Sequence, residues 1–437
     1  MIIMKFGGSS VKDAEMFTKV SDIVKVQLNQ KPIVVLSAVK GTTDLLIDSI
    51  REASENKFES YEKIVANHKR IISDLELDLD LLSSELSELK QTLEVISRTK
   101  TKDAKVIDYV CFFGERMSVI ILAALLCKQG EKAISHISGD VGLITDSNFG
   151  DAKILAESFE NMNNKITSMN YIPIITGFGG KDVNGEFTTF QRGGSDYVAA
   201  LFGSAVNAEE IQIWTDVNGV MTANPNVVNE AKSIPTLSFA EASELAYFGA
   251  KVLHPKTILP AIEQDIPVVV LNTFEPSHMG TRIVNKSEST SKIKAISYKK
   301  GITIIDANST RMINAYGFLA KIFEVFNKYK KPIDMISTSE VDVSMTIDNN
   351  ENLNDIISDL KICAKIVKHD SKAIIYVVGD KMKHNACFAG KILDAVGNAD
   401  IKVDMISQCY DGVSFGFVVE EEKAEKVVKL LHRELIE

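Results

Sequence analysis

From the N-terminus to about residue 290, short apolar runs rich in β-branched residues alternate with stretches of helical periodicity. That alternation is the pattern of an α/β layer fold. Strands are predicted for the opening run Met1 to Phe6 and for Ile33–Ser37, Tyr171–Thr176, Ile211–Trp214 and Val268–Leu271. Each lies near a Gly, Thr or Ser loop leading to a helix, and ligands of open α/β sheets bind beyond the carboxyl ends of the strands. Between residues 58 and 98, Leu75, Leu79, Leu82, Leu86, Leu89 and Leu93 recur at helical spacing, which predicts a helical pair packed beside the sheet. No chemistry-bearing constellation falls there, and the stretch reads as scaffold.

The pattern changes near residue 290. Residues Lys286 to Lys292 are polar and aperiodic, as in a linker. Beyond them lies an internal repeat: Phe318–Ile322 through Ile333–Ser337 aligns without a gap on Phe388–Ile392 through Val403–Ser407. Each copy reads as an amphipathic helix, a turn and an Asp-Met-Ile-Ser strand, followed by a second strand at Val343–Ile347 or Ser414–Val419. Two small α/β units side by side follow from this; repetition alone names no ligand.

Composition narrows the function classes. A chain of 437 residues, 45% hydrophobic and 25% charged, accommodates two or three globular domains. The net charge of −10 with no basic block excludes a nucleic-acid or anionic-membrane partner, so any anionic ligand must be met by a local cluster of cations. Five cysteines are scattered without a CxxC pair and read as reduced thiols. No apolar run is expected to reach membrane-spanning length, and Met1 enters a strand directly, so a cytoplasmic location is expected.

Six segments carry candidate chemistry. The first is Lys5-Phe6-Gly7-Gly8-Ser9-Ser10, where a strand ends in a lysine and glycines open the backbone to an anion. Ser10 with Asp13 three residues on reads as a helix N-cap that would add its positive end. The lysine precedes the glycines, unlike a Walker A loop. In the second, the strand ending at Ser37 leads through Lys40-Gly41 to Thr42 and Thr43, whose hydroxyls either bind a small polar ligand or cap the next helix. In the third, Glu115 follows Gly114 at an expected turn before a buried helix; it serves either the helix dipole or a ligand ammonium.

The fourth segment is the sharpest. A strand leads to Arg192-Gly193-Gly194-Ser195-Asp196, with an arginine able to grip a carboxylate, a cap-type serine, and an aspartate able to orient Lys5. An Arg–Asp pair stabilising a turn is the plainer account. The fifth, Trp214-Thr215-Asp216 to Met221 and Asn224-Pro225, is dense in turn residues and able to hold a base and ribose. The sixth runs from a Ser238–Glu241 capping box to Phe248-Gly249-Ala250-Lys251 and His254-Pro255. There Lys251 either neutralises phosphate or ends a helix in solvent.

Together these segments resemble, over essentially the whole chain, the aspartate kinase branch of the amino-acid kinase family. The repeat resembles that branch's paired ACT regulatory units. The resemblance implies an open α/β/α sandwich over residues 1–290, followed by two ferredoxin-like βαββαβ ACT units at 291–370 and 371–437, interleaved with one another. It implies that Lys5, Gly7, Gly8, Ser9 and Lys251 lie along the ATP phosphates, with Thr215, Asp216 and Met221 near the nucleoside. Ser37, Thr43, Glu115, Arg192 and Ser195 would line an aspartate pocket, and Asp196 would organise the cations. Lys5, Asp196 and Lys251 would be catalytic. Mg2+ would arrive on the ATP phosphates, with no protein metal ligand.

The implied reaction makes 4-phospho-L-aspartate, the first step towards lysine, threonine and methionine. The segments Arg311–Leu319 and Ile333–Glu340 resemble the effector half of lysine-sensitive members. Met312, Ala315, Phe318, Leu319, Ile333, Asp334, Ser339 and Glu340 would then hold lysine in a homodimer or dimer of dimers. Met221, Asn224 and Asn226 depart from the family's usual aromatic, aspartate and arginine in the nucleotide turn. The alternatives are another amino-acid kinase and a non-catalytic ACT-type sensor.

Overall fold

The computed structural model describes the chain except residues 191–192, 248–254, 288–292, 313–315, 349–350, 380–381, 383–386, 410–411 and 437 and the side chains of 247, 255, 256 and 311. It divides into two compact units: Met1–Val220 with Pro235–Phe239 and Val252–Ser287, and Met221–Ile234 with Ala240–Lys251 and Glu288–Glu437.

The first unit is built on an eight-stranded sheet. Its strands are β1 (Ile2–Phe6), β2 (Pro32–Leu36), β3 (Ala133–His136), β5 (Ile172–Thr176), β8 (Glu210–Thr215), β9 (Thr236–Ser238), β10 (Val268–Asn272) and β11 (Thr281–Val284). The order is β3-β5-β2-β1-β8-β10-β11-β9. The six strands from β3 to β10 run parallel, and β11 turns antiparallel to β10. A small side sheet joins β4 (Ile144–Thr145), β6 (Gly179–Asp182) and β7 (Phe187–Thr189). The predicted strands therefore form, within one residue at most ends.

Strand alternation decides which face each β1 residue serves. Ile2, Met4 and Phe6 join the core beneath α1 (Ala14–Val26), α2 (Thr42–Ser54) and α5 (Ala104–Lys128). Ile3 turns to the other face, where Ile3 and Ile211 pack against Gly203 of α7 (Gly194–Ala205). Lys5, two residues on, shares that α7 face. The expected helical pair is α3 (Glu59–Asp74) and α4 (Ser83–Thr99), with Leu86, Leu89 and Leu93 buried and Leu79 left 60% exposed between them.

Two sequence expectations fail here. Helix α5 is long and apolar enough to cross a membrane by length and composition, against the expectation of no such run; 78% of its most apolar stretch is buried inside the unit. Gly114 and Glu115 lie within this helix, not at a turn before it. Gly114 is needed for close approach: a Cβ there would sit 2.9 Å from the Ala38 Cβ and 3.2 Å from the Leu46 Cδ1.

The second unit carries a six-stranded antiparallel sheet. Its strands are β12 (Ala295–Asn308), β13 (Ile336–Thr338), β14 (Asp342–Ile347), β15 (Lys365–Val378), β16 (Met405–Ser407) and β17 (Ser414–Glu420), in the order β13-β14-β12-β15-β17-β16. The 14-residue strands β12 and β15 pair along their length, from Ala295 against Val378 to Asn308 against Lys365. Their two halves feed two cores. Ile305 and Ala307 pack with α10 (Phe318–Lys328) and α11 (Leu353–Leu360). Ile296, Ala373, Ile375 and Val377 pack with α12 (Cys387–Asn398) and α13 (Ala424–Leu435). The repeat is thus visible in packing: Phe318, Ile322 and Phe326 are buried from α10, and Phe388, Ile392 and Val396 at the same offsets from α12. Ala223 and Val228 belong to the second core, and Thr222 bonds the α13 imidazole of His432 at 2.9 Å.

Candidate active site

A cavity of about 400 Å3 opens beyond the carboxyl ends of β1 and β2, against the N-terminus of α7. Of the anticipated site residues, Lys5, Gly8, Ser37, Thr43, Glu115, Ser195 and Asp196 all line it. Arg192 and Lys251 lie outside the described residues. Sequence reasoning gave no role to three further lining residues, Lys40, Asp44 and Cys111.

Lys5 points from the sheet to α7, and its ammonium meets Asp196 Oδ1 at 2.5 Å as an ion pair outside hydrogen-bond geometry. Both side chains are nearly buried, at 12% and 13% exposure, so solvent screens the pair little. The expected orienting role of Asp196 has this contact as its basis. The helix itself is capped differently from the expectation: Gly193 is the N-cap, at φ 91° in the left-handed region open to glycine, and Ser195 makes no capping bond.

Freed from capping, the Ser195 hydroxyl donates to Glu115 Oε1 at 3.0 Å and accepts from the Ser37 hydroxyl at 3.0 Å. Glu115 Oε2 accepts from the backbone amides of Gly177 and Phe178 at 2.6 and 2.5 Å. Burial is the largest influence on this carboxyl and pushes its pKa up to about 7; the three hydrogen bonds and Lys5 act the other way. A carboxylate so placed gives a small ligand cation a partner in a site of low dielectric.

One turn of α5 earlier, Cys111 faces the cavity, and burial raises its thiol to about 12, which keeps it protonated and unreactive at neutral pH. Asp108, on the same helix face, accepts from the amides of Gly150 and Thr189 at 2.8 and 2.9 Å and from the Thr189 hydroxyl at 2.6 Å. It therefore anchors the end of β7, from which the segment Phe190–Asp196 departs. The 108, 111, 115 spacing is a helical stripe, a signal hidden by the expectation of a turn at Gly114.

The neighbouring strand ends hold the remaining described candidates. Gly8 and Ser9 begin a 3-10 helix, Gly8–Val11, where first-turn amides have no intrahelical acceptor. The Gly7 amide is committed, donating to the Trp214 carbonyl at 3.2 Å. Ser10 is not the cap of α1: Asp13 is, accepting from the Met16 amide, while the Ser10 hydroxyl bonds Thr273. Thr215 ends β8 and its hydroxyl donates to Asp216 Oδ1 at 3.3 Å. Met221 belongs to the second unit, bridged to Ser233. Among the described residues, no group of three or more His, Cys, Asp or Glu side chains gathers to hold a metal ion.

In the second unit, the effector candidates divide. Phe318 is committed to the first repeat's core, because it begins the buried stripe of α10. Met312 and Ile333 pack against the same core. Leu319 is 38% exposed, Ser339 and Glu340 are exposed, and Ala315 lies outside the described residues. Ser339 Oγ accepts from the Asp342 amide at 3.0 Å. The buried Asp334 carboxylate meets the Lys299 ammonium at 3.1 Å, and that ammonium also reaches Asp348 at 2.8 Å. The second repeat has the same arrangement, Lys372 meeting Asp404 at 2.7 Å.

Comparison with known proteins places the chain in a family. The amino acid kinase family model matches residues 1–272, and an ACT domain model matches 307–353 and 375–435. Aspartokinase 1, chloroplastic, of Arabidopsis thaliana is 35% identical over 456 residues, covering 100% of this chain and 80% of its own. Lysine-sensitive aspartokinase 3 of Escherichia coli K12 is 33% identical, covering 100% and 99%. The crystal structure of E. coli aspartokinase III with aspartate and ADP superposes with a TM-score of 0.84 at 30% identity, covering all of both chains. The chain belongs to the amino acid kinase family and, within it, to the aspartokinases.

Proposed function

We propose that this enzyme transfers the γ-phosphoryl group of MgATP to the side-chain carboxylate of L-aspartate, giving ADP and 4-phospho-L-aspartate. The observation that carries the reading is the convergence on one cavity of Lys5, held by Asp196, with Glu115, Ser37 and Ser195. An aspartate side chain, with an unperturbed pKa of about 3.9, is already ionised at neutral pH, so the nucleophile needs no general base. The obstacle is repulsion between two anions. Alignment and fixed positive charge along the transferring group supply the catalysis.

In this reading Glu115 receives the substrate ammonium, Ser37, Thr43 and Ser195 orient its polar atoms, and Arg192 grips its α-carboxylate. Asp196 holds Lys5 towards the phosphoryl group. Lys251 and the amides of Gly8 and Ser9 attend the ATP phosphates, and Thr215, Asp216 and Met221 the nucleoside. Mg2+ bound to the phosphates and water would offset further charge. Residues 1–290 would form the catalytic domain and 291–370 and 371–437 the two ACT units, in a cytoplasmic homodimer or dimer of dimers. The lysine-sensitive relative supports lysine as effector, and Asp334, Ser339 and Glu340 of the first ACT unit would be its polar partners.

The deciding assay is ATP-dependent hydroxamate formation across a panel of acidic amino acids, with and without lysine and threonine. Aspartate alone should give acyl phosphate, and folded Lys5→Ala should lose roughly 10²–10³ in turnover. Undiminished turnover in that variant would remove Lys5 from the chemistry.

A further inference from the structure

We propose that Thr273 is a positioning residue for phosphoryl transfer, whose buried hydroxyl holds the phosphate turn after β1 while its amide holds the end of β8. The inference rests on the assignment of MgATP to this sheet edge. Thr273 follows the last residue of β10, Asn272, which stands beside Thr215 in the sheet. The Thr273 amide donates to the Thr215 carbonyl at 2.9 Å. Its hydroxyl lies 2.7 Å from the Ser10 hydroxyl, and both side chains are fully buried.

Ser10 in turn is tied into the phosphate turn: its amide donates to the Gly7 carbonyl at 2.9 Å, and its hydroxyl lies 3.4 Å from the Trp214 carbonyl. One residue thus joins two turns, holding the phosphate turn by its hydroxyl and the end of β8 by its backbone amide. The residues around it reinforce the join on the nucleoside side. Asn272 Nδ2 donates to Asn218 Oδ1 at 2.6 Å, and Asn218 Nδ2 donates to Glu275 Oε2 at 2.8 Å.

A hydroxyl pair is suited to this task because it is directional and short, so it fixes the turn that carries Gly8 and Ser9 in rotation as well as distance. Aliphatic packing at the same place would hold the turns together without fixing their angle. Positioning of this kind acts first on the nucleotide: Gly8 of the same turn borders the acceptor cavity, but neither Ser10 nor Thr273 lines it.

The test uses the full chain with Thr273→Val, which keeps the shape and removes the hydroxyl, and Thr273→Ser, which restores it. Initial rates are measured with ATP varied at saturating aspartate and the converse, alongside thermal unfolding. Thr273→Val should raise the KM for ATP about tenfold, as expected for loss of a buried hydrogen bond worth about 1.5 kcal/mol to nucleotide positioning, and leave the KM for aspartate within about twofold. Thr273→Ser should recover most of the loss. An ATP KM unchanged in Thr273→Val overturns the proposal, as does a rise equal for both substrates and not rescued by serine. If Thr273→Val does not fold, Ser10→Ala removes the same bond and must give the same split; a wild-type ATP KM there overturns it equally. A wild-type enzyme that binds no MgATP instead sinks the nucleotide assignment itself.

Discussion

Glu115 should give the aspartate-dependent rate an acid limb near neutrality. Its carboxyl is fully enclosed, and burial carries its pKa to about 7 despite donors from Gly177, Phe178 and Ser195 and the charge of Lys5. Only the ionised form offers a substrate ammonium a charged partner. With that pKa, roughly one-tenth of the free enzyme is competent at pH 6 and nine-tenths at pH 8, so kcat/KM for aspartate should rise about tenfold between them. At saturating aspartate the bound ammonium favours the carboxylate, and kcat should vary much less. Glu115→Gln should abolish the limb and, by removing a charge-assisted hydrogen bond worth about 1.5–3 kcal/mol, cost about 10- to 150-fold in kcat/KM at pH 8. Steady-state profiles from pH 6 to 8 decide the matter. A flat kcat/KM in the wild type, or a limb that persists in Glu115→Gln, refutes the reasoning. The same group has a stability signature of known sign. Its folded pKa lies above the unfolded value, so the folded state holds a proton the unfolded state has released, and stability falls as pH rises from 4.5 to about 7.

Three further outcomes follow from contacts elsewhere. Asp108→Asn places an amide against two N–H donors and one hydroxyl; it should lower stability by about 1–3 kcal/mol and raise the aspartate KM, read by thermal unfolding and initial rates. Gly114→Val forces atoms into the Ala38 and Leu46 side chains and should cost at least about 1–3 kcal/mol in denaturant titration, where an unchanged midpoint would contradict the packing. Lys299→Met removes the ammonium that occupies Asp334 and should lower the lysine concentration needed for half-inhibition; unaltered or weakened inhibition would count against Asp334 as the effector's partner.

Strands were legible because buried parallel strands leave continuous β-branched runs, as at Ile33-Val34-Val35 and Val268-Val269-Val270. The α3–α4 pair was legible through its leucine period. Helix α5 was not, because a helix apolar on nearly every side loses its period, and Gly114 then passes for a turn. Residue types at the cavity were legible, since Lys5, Ser37, Glu115 and Ser195 stand near strand ends or glycines. Their partners were not: the amides of Gly177 and Phe178 lie more than sixty residues from Glu115 in the chain, and Asp108 gains meaning only beside Thr189. Ala223 falls in a stretch dense in turn residues, and only packing shows that it belongs, with Val228, to the second unit's core.

The shared length of β12 and β15 has a practical consequence for dissecting the regulatory half. A cut at residue 370/371 would strip the second core of Ile296 and its neighbours, and sever a continuous strand in the process. Neither repeat should therefore survive as an isolated fragment bounded there; both should melt in one transition. A ligand that stiffens one end of these two ribbons would be felt at the other through continuous strands, across the register shift near Gly301 and Ser371.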